Sequence, residues 1–185
     1  MIILASQSPR RKELLSLITE DFIICPAEGE EKKDLSISPS DLVMNLSQQK
    51  ALEVGQKYKN DVIIGADTIV VCEGEVLGKP VDEEDSRRML SLLSGRTHGV
   101  YTGTSIYKNG KISSFYQKTD VTFFDLTDEE IEWYISTGEP SDKAGAYGIQ
   151  GYGALLIKEI NGDFYTVMGL SVGKLKRELI KIIDL

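Results

Sequence analysis

Asp67 is the residue whose surroundings most clearly suggest chemistry. It lies within I-I-G-A-D-T-I-V-V, residues 63–71, which has the β-branched composition of a buried strand. An ionised carboxylate is unfavourable there unless something pairs with it. Gly65 and Ala66 leave room beside it, and glycine in a strand often marks a close approach by a ligand or by backbone. The sequence therefore places a paired or reactive acid inside a sheet.

A cation follows this acid after a turn. Gly74 indicates the turn, so residues 76–79 can return antiparallel and bring Lys79 towards Asp67. A two-residue turn would place Lys79 opposite Thr68, whereas a three-residue turn would place it on the side of Ile69 and Asp67. The sequence leaves this register open. Taken alone, it is also compatible with a structural ion pair at a hairpin edge.

Serines and cations converge in S-Q-S-P-R-R-K, residues 6–12. Ser8 suits a helix N-cap and Pro9 the first helical position. Arg10, Arg11 and Lys12 then occupy the first turn, where the helix dipole is already positive. Free backbone N–H groups, the hydroxyls of Ser6 and Ser8 and these cations together favour an anion site, most naturally for phosphate. The alternative is a solvated basic turn.

Two further sets of charged side chains could complete such a site. Glu28, Glu30 and Glu31 lie in the polar segment 27–38 and could supply oxygen ligands to a divalent cation, although such a run is more often solvated surface. Lys50 falls on the apolar face of a predicted helix. It either extends to the edge of that face or points into a site.

The segment E-P-S-D-K-A-G-A-Y-G-I-Q-G-Y-G, residues 139–153, is rich in glycine and can approach a ligand closely. Gln150 carries both a donor and an acceptor, as recognition of a nucleobase edge requires. Tyr147 and Tyr152 could stack on a ring. A glycine-rich turn between strands is the simpler explanation of the glycines.

Local patterns predict the elements that must position these groups. The only histidine, His98, has no nucleophile motif nearby and is predicted to be structural. Trp133 and Tyr134 are predicted to be packing residues. Leu14, Leu17 and Ile18 supply the apolar face of the first helix. Strands are predicted at 2–5, 21–26, 63–72, 76–79, 100–107, 113–124 and 154–160; helices are predicted from Ser8, over 39–58, between Asp82 and Gly95, over 127–136 and over 172–182.

Length and composition set the class of protein. The 185 residues fit one domain, 1–185, or one domain with a small lobe, with room for a substantial core. A net charge of −8 argues against a nucleic-acid polymer as partner but allows a small anionic ligand in a local basic cluster. Cys25 and Cys72 form no C-x-x-C pair, so a reducing, cytoplasmic location is expected. No apolar run approaches bilayer-spanning length, so no membrane partner is expected.

As a set, these motifs resemble the Maf family of nucleoside triphosphate pyrophosphatases. The resemblance spans residues 2 to about 175. It rests on L-A-S-x-S-P-R-R at 4–11, the acidic loop at 27–38 that contains Glu30 and Glu31, Q-K-A around Lys50, G-A-D-T at 65–68, G-K-P at 78–80 and D-K-A-G-A-Y-G-I-Q-G at 142–151. It implies an α/β fold: a mixed twisted sheet with flanking helices and a deep cleft between two lobes, similar to inosine triphosphatases. It also implies a homodimer.

The resemblance assigns roles residue by residue. Asp67 matches the family's catalytic base, and Glu31 matches an acidic residue near the metal, with Asp67 also touching it; the spacing of A-E-G-E-E leaves Glu30 as an alternative. The cofactor implied is a divalent cation, Mg or Mn. The positions that match the family's polyphosphate-contacting set are Ser6, Ser8, Arg10, Arg11, Lys50 and Lys79.

The resemblance also implies a substrate. Arg11, Thr68 and Gln150 match the subfamily that acts on dTTP and UTP, so hydrolysis of these or of modified pyrimidine nucleotides to the monophosphate and pyrophosphate is expected. Family members are linked to removal of noncanonical nucleotides and to cell-division arrest. The alternative function is a nucleotide-binding regulator of cell division without significant turnover, which would need the phosphate site but not Asp67. A phosphatase releasing orthophosphate is a further alternative.

Overall fold

The computed structural model describes residues 1–183, so the last two residues of the expected 1–185 domain lie outside the described residues. Strands alternate with helices along the chain. The strands are β1 (Ile2–Leu4), β2 (Phe22–Ile24), β3 (Val62–Cys72), β4 (Glu75–Leu77), β5 (Thr97–Lys108), β6 (Lys111–Phe123) and β7 (Ile157–Asn161). The helices are α1 (Pro9–Ser16), α2 (Pro39–Lys57), α3 (Glu83–Leu93), α4 (Asp128–Ser136), α5 (Phe164–Met168) and α6 (Val172–Ile180).

The seven strands form one mixed sheet. Its order is β2-β1-β3-β5-β6-β7, with β4 paired to β3. Strand β1 is parallel to both neighbours, pairing Ile3 with Ile23 and with Ile63. The pairs β3–β4 and β6–β7 are antiparallel. The predicted α/β class with a mixed sheet and flanking helices is therefore confirmed.

The chain divides into two compact units. The first contains Met1–Thr68, Thr102–Gln117 and residues 169–183, and the second contains Ile69–Tyr101 and Lys118–Met168. One cluster in the core of the first unit consists of Ile3, Ala5, Ala51, Val54 and Ile63. The core of the second includes the fully buried rings of Tyr134 and Phe123.

Two glycines allow α2 to lie directly on the strands of the first unit. A Cβ atom at Gly65 would come 2.3 Å from the carbonyl oxygen of Ser47, and one at Gly103 would come 2.2 Å from that of Val43. Both distances are far inside van der Waals contact, so no other residue fits without moving the helix. This close packing places Lys50, on α2, over the part of β3 that contains Asp67.

Several predicted contacts differ from the structure. Leu17 is exposed, because α1 turns Leu14 and Leu15 inward instead. Trp133 and Tyr134 both pack as predicted: Tyr134 is buried, and Trp133, although 43% exposed, contacts the ring of Tyr152 edge-on. Residues 154–156, predicted as strand, belong to the 3₁₀ helix Gly151–Leu156. No helix within residues 1–183 has the length and apolar character needed to cross a bilayer.

The turn between β3 and β4 settles the register that the sequence left open. Val70 pairs with Leu77 and Cys72 with Glu75, so Glu73 and Gly74 form a two-residue turn with positive φ at both positions. This is the turn that matches the natural twist of a hairpin. The three-residue alternative is therefore excluded.

Candidate functional site

The start of α1 has the predicted cap. The hydroxyl oxygen of Ser8 accepts a hydrogen bond from the backbone N–H of Arg11 at 3.4 Å, and Pro9 occupies the first turn. The hydroxyl oxygen of Ser6 accepts from the N–H of Ser8 at 3.2 Å. No acidic residue occupies the first turn, so the positive end of the dipole is not neutralised within the helix. This favours an anion at that end.

Arg11 joins α1 to two other segments of the first unit. Its Nη1 donates to the carbonyl oxygen of Ala66 at 2.9 Å and to Ser6 Oγ at 3.4 Å, its Nη2 donates to Thr68 Oγ1 at 3.2 Å, and its Nε donates to the carbonyl oxygen of Gly169 at 2.8 Å. A guanidinium has five N–H groups, so these bonds leave one N–H of Nη2 for other contacts. Arg11 therefore fixes the local backbone at least as much as it presents charge.

Burial lowers the pKa of Arg11 from its usual value, although the negative charge of Asp67 opposes this. The charge of Arg10, which is half-buried beside it, acts in the same direction as burial. An arginine still remains charged at neutral pH. The start of α1 thus carries two adjacent cations, of which Arg11 is fixed to backbone carbonyls.

Lys50 contacts both acids of the candidate site. Its Nζ hydrogen-bonds Asp67 Oδ1 closely and lies 2.9 Å from Glu31 Oε1. It also lies 3.5 Å from the carbonyl oxygen of Ala66, the same oxygen that accepts from Arg11. Only 17% of the Lys50 side chain is exposed, so it points into the cluster and does not extend to the edge of the apolar face. We call Glu31, Lys50 and Asp67 the charged triad.

The charged triad distinguishes Glu31 from Glu30. Glu31 contacts Lys50 and also lies 3.4 Å from Lys33, whereas no ion pair of Glu30 is described within residues 1–183. Burial alone would raise the pKa of Glu31, but the hydrogen bond and charge of Lys50, helped by Lys33, lower it below its usual value. Glu31 is therefore ionised at neutral pH. The geometry favours Glu31 over Glu30 for the predicted acidic position.

Thr68 lies at the edge of this cluster. Its hydroxyl oxygen accepts from Arg11 and also shares a 2.8 Å hydrogen bond with the hydroxyl of Thr102 on β5. Two contacts therefore fix the side chain that the resemblance associates with substrate choice. The predicted residues that the first unit brings together by described contacts are Ser6, Ser8, Arg11, Glu31, Lys50, Asp67 and Thr68.

Lys79 and Gln150 belong to the second unit, and both are exposed. The glycine-rich segment and the segment before Lys79 are joined there, because the N–H of Gly145 donates to the carbonyl oxygen of Gly78 at 2.9 Å. Gly145 has φ +69°, and a Cβ there would come 3.0 Å from Val70. That glycine allows the glycine-rich segment to pack closely against Val70 of β3. Lys79 directly follows Gly78, whose carbonyl oxygen accepts from Gly145.

The two tyrosines of the glycine-rich segment are not equivalent. Tyr147 is buried, and its hydroxyl hydrogen-bonds Nε2 of His98 at 2.7 Å. It therefore packs in the core, and the prediction that it could stack on a ligand ring is wrong. His98 is structural, as predicted: it lies edge-on to Phe123 and Tyr147. Tyr152 is 54% exposed and contacts Trp133 edge-on. Of the two, only Tyr152 remains available for stacking.

Comparison with known proteins gives the family. The family model described as Maf-like protein matches residues 1–182. The chain belongs to the Maf family. Maf relatives include proteins named dTTP/UTP pyrophosphatase from Bacillus cereus strain B4264, 51% identical over 178 residues, and from Bacillus mycoides strain KBAB4, 52% identical over 178 residues. Each alignment covers 96% of this chain and 93% of the relative.

A solved structure shows the same architecture. The Staphylococcus aureus Ham1 protein superimposes with a TM-score of 0.58 over 98% of this chain and 99% of that chain, at 14% sequence identity. At that identity the similarity concerns the fold alone. The family predicted from the motifs and the α/β architecture are therefore both confirmed.

The donor set of this Maf protein is compatible with a divalent cation. Glu31 and Asp67 contact the same nitrogen atom and are therefore neighbours, and carboxylate oxygens suit Mg²⁺ and Mn²⁺. Within residues 1–183, no group of three or more His, Cys, Asp or Glu side chains is placed to hold a metal. Mg²⁺ commonly uses one or two carboxylates and takes its other ligands from water and substrate phosphates. Two carboxylates thus fit a cation that arrives with a polyphosphate.

Sequence reasoning missed several residues that support the site. Thr102 contacts Thr68, and the Glu139 carboxylate accepts from the N–H groups of Tyr152 and Gly153 at 2.9 and 3.1 Å, next to Gln150. Gln49 and Glu53 on α2 bind the backbone of the acidic loop. Polar residues of these types are common on protein surfaces, so their spacing gave no signal.

Proposed function

We propose that this protein hydrolyses dTTP, UTP or modified pyrimidine nucleoside triphosphates to the monophosphate and pyrophosphate. The names of relatives 51% and 52% identical, over nearly the whole of both chains, support the reaction. The observation that carries the proposal is the charged triad, in which one lysine joins two carboxylates beside an arginine at a helix start. Cations for a polyphosphate and an acid for a water molecule are thus combined in one unit.

The cations bind and orient the triphosphate in this mechanism. Phosphoryl transfer requires little covalent chemistry from a protein, so positioning and charge stabilisation dominate. Arg10, Lys50 and Lys79 neutralise phosphate oxygens, while Ser6 and Ser8 donate hydrogen bonds to them. Arg11 has one N–H of Nη2 left for a phosphate and otherwise holds the carbonyl of Ala66, directly before Asp67.

Asp67 acts as the base. It orients a water molecule and accepts one of its protons while the water oxygen bonds to the α-phosphorus. The bond from the α-phosphorus to the bridging oxygen breaks, and that oxygen leaves with pyrophosphate. A carboxylate is a weak base at neutral pH, so much of the activation of that water would come from a bound divalent cation. Glu31 and Asp67 would hold a Mg²⁺ or Mn²⁺ ion. When bound, that ion supplies charge neutralisation and lowers the pKa of water.

Base selection involves Thr68 and Gln150 in this proposal. Gln150 is exposed and offers an amide donor and acceptor, which match the polar edge of thymine or uracil. Thr68 is oriented by Arg11 and Thr102. Turnover across a panel of canonical and modified triphosphates tests this assignment, with faster turnover of dTTP and UTP than of purine triphosphates expected.

The principal test is Asp67→Asn. The purified protein with dTTP and Mg²⁺ is expected to release pyrophosphate, and the variant is expected to lose about 10²–10⁴-fold in kcat, the range that removal of a general base gives. Nucleotide affinity by calorimetry should remain within a few-fold. Exposed Asp21→Asn is the matched control and should keep full activity.

Other products would identify a different function. Tight binding of dTTP with no pyrophosphate released by the wild-type protein would favour the nucleotide-binding regulator. Release of orthophosphate without pyrophosphate would indicate a phosphatase. Full activity of a folded Asp67→Asn protein would exclude the base role while leaving the pyrophosphatase reaction in place.

A further inference from the structure

Two side chains on one face of α2 bind the backbone of the acidic loop, residues 27–38. Gln49 makes a pair of hydrogen bonds with Lys32: its Oε1 accepts from the N–H at 2.9 Å, and its Nε2 donates to the carbonyl oxygen at 3.0 Å. Glu53 Oε1 accepts from the N–H groups of Glu28 and Gly29 at 2.7 and 3.2 Å, and its Oε2 lies 3.1 Å from the same N–H of Gly29. We call this arrangement the α2 clamp.

The α2 clamp binds the loop on both sides of Glu31. Gln49 and Glu53 are four residues apart and therefore lie on one face of the helix, one turn from each other. Their backbone partners lie just before Glu31, at residues 28 and 29, and just after it, at Lys32. The loop between residues 27 and 34 has no regular secondary structure of its own and is mostly exposed. Its position depends on contacts of this kind.

The same helix also carries the partner of Glu31. Lys50 follows Gln49 directly, and its Nζ lies 2.9 Å from Glu31 Oε1. One rigid element therefore fixes both the loop that carries the acid and the cation that meets it. Neither Gln49 nor Glu53 contacts Lys50 or Asp67 among the hydrogen bonds and ion pairs described within residues 1–183. The described contacts of their side chains therefore connect them to the charged triad through the loop.

We infer that Gln49 and Glu53 are positioning residues of the site: the α2 clamp holds the acidic loop so that Glu31 meets Lys50 beside Asp67. This inference rests on the proposed function, because it gives Glu31 a part in the reaction. The α2 clamp touches no substrate. Its contribution is to hold the loop in one conformation in advance, so that less conformational entropy is lost each time the site is assembled.

Gly29 supplies an independent way to disturb the α2 clamp. A Cβ there would come 2.8 Å from Oε2 of Glu53. Because that oxygen is the end of a flexible side chain, Gly29→Ala is expected to displace the carboxylate and leave the fold intact. Gln49→Ala, Glu53→Ala and Gly29→Ala thus weaken the same arrangement from three positions. Gln56→Ala, an exposed glutamine of α2, is the matched control.

Limited trypsin digestion measures the loop directly. Lys32 and Lys33 lie in the loop, and cleavage after them is followed by mass spectrometry on the intact protein. Loss of the hydrogen bonds is expected to raise the cleavage rate at these sites about threefold to tenfold in Gln49→Ala and Glu53→Ala, and less in Gly29→Ala. Gln56→Ala should digest as the wild type does. Equal rates at Lys32 and Lys33 in all proteins would overturn the inference.

A double-mutant cycle with Glu31→Gln measures the route of the effect. Gln49→Ala is expected to lower kcat/KM for dTTP about threefold to tenfold in the wild-type background and to cause no further loss in the Glu31→Gln background. Additive losses would overturn the inference, because Gln49 would then act by another route. A released loop with unchanged turnover would overturn it as well.

The failure of the inference and the failure of the proposed function have different signatures. If wild-type protein releases no pyrophosphate from dTTP, the proposed reaction is wrong, and the inference falls with it. If wild-type protein is active and Glu31→Gln is equally active, the reaction stands and only the positioning role is lost. Trypsin sensitivity, which needs no substrate or metal, reports on the α2 clamp in either case.

Discussion

Lys50 is the residue on which both acids of the charged triad depend. Its ammonium group contacts Asp67 and Glu31, and all three side chains are at least partly buried. Removing one partner of a buried charge pair lowers stability by more than the pair contributes to it, because the remaining charge is left without a counter-charge. The protonation of Glu31 should therefore report the presence of Lys50.

Lys50→Met is expected to raise the pKa of Glu31, because a close opposite charge favours the ionised carboxylate. The reason is that burial then acts against the ionised form without the hydrogen bond and charge that now lower that pKa. Carboxyl-carbon NMR titration of Glu31 measures it. Lys33→Met is the control: Lys33 lies 3.4 Å from Glu31 but is more exposed, so a smaller rise is expected. An unchanged pKa in Lys50→Met would contradict the geometry of the charged triad.

At the scale of elements, the packing of α2 on β3 decides whether Lys50 and Asp67 meet. The helix approaches the strand only because position 65 has no side chain. The same helix carries the α2 clamp and Lys50, so a small displacement changes every contact that it makes with the acidic loop and with β3. Stability and site geometry are therefore coupled at this contact.

Gly65→Ala is expected to lower the free energy of unfolding by about 3 kcal/mol, at the upper end of the usual cost of overpacking. The added methyl group would come 2.3 Å from the carbonyl oxygen of Ser47, which belongs to helix backbone and cannot rotate away. Urea denaturation followed by circular dichroism measures the change. Gly173→Ala, at an open position of α6, should keep or slightly raise the stability. Equal stability of both variants would show that α2 tolerates displacement.

The elements that the sequence predicted correctly are those whose signals are local. Ser8, Asp82 and Thr127 cap helices as predicted, and Asn109 and Gly110 form the two-residue turn between β5 and β6 with positive φ at both positions. These signals act within four residues, so no tertiary information is needed. The burial of Tyr147 was missed, since it depends on a partner 49 residues away, the ring of His98.

In the candidate site, too, local features could be predicted from the sequence, whereas contacts between residues distant in the chain could not. Lys50 and Asp67 were singled out because a charge on an apolar face or in a strand is unusual. Their pairing across 17 residues, and the contact of Lys50 with Glu31, depend on the packing of α2 and could not be read from local sequence. The α2 clamp was invisible to the sequence, because a glutamine and a glutamate on a half-exposed helix face are ordinary there.

At the scale of the whole molecule, His98 should contribute strongly to the pH dependence of stability between pH 6.5 and 4. Its ring is 2% exposed, and burial lowers the pKa of His98 to about 4, more than the charge of Asp120 raises it. Its pKa in the unfolded chain is near 6.5, so the unfolded state binds the proton first as the pH falls. Stability is therefore full above about pH 6.5 and is lost as the pH falls through this window.

The expected loss between pH 7 and pH 4 is about 3 kcal/mol, since each unit of pKa difference corresponds to about 1.4 kcal/mol. Urea denaturation at a series of pH values measures it. His98→Gln keeps a side chain able to hydrogen-bond Tyr147 but cannot titrate, so its stability should fall less over the same range. Parallel curves for both proteins would show that His98 is protonated equally well in the folded state.

The double contact of Lys50 has a consequence for the resting protein. One ammonium group shared between two carboxylates leaves that trio with an excess of one negative charge. A phosphate group that takes the ammonium for itself must leave both acids with another counter-ion. In the proposed reaction, uptake of an anionic tail would therefore be an exchange of counter-ions: the phosphate pairs with Lys50, and another cation must pair with the two acids.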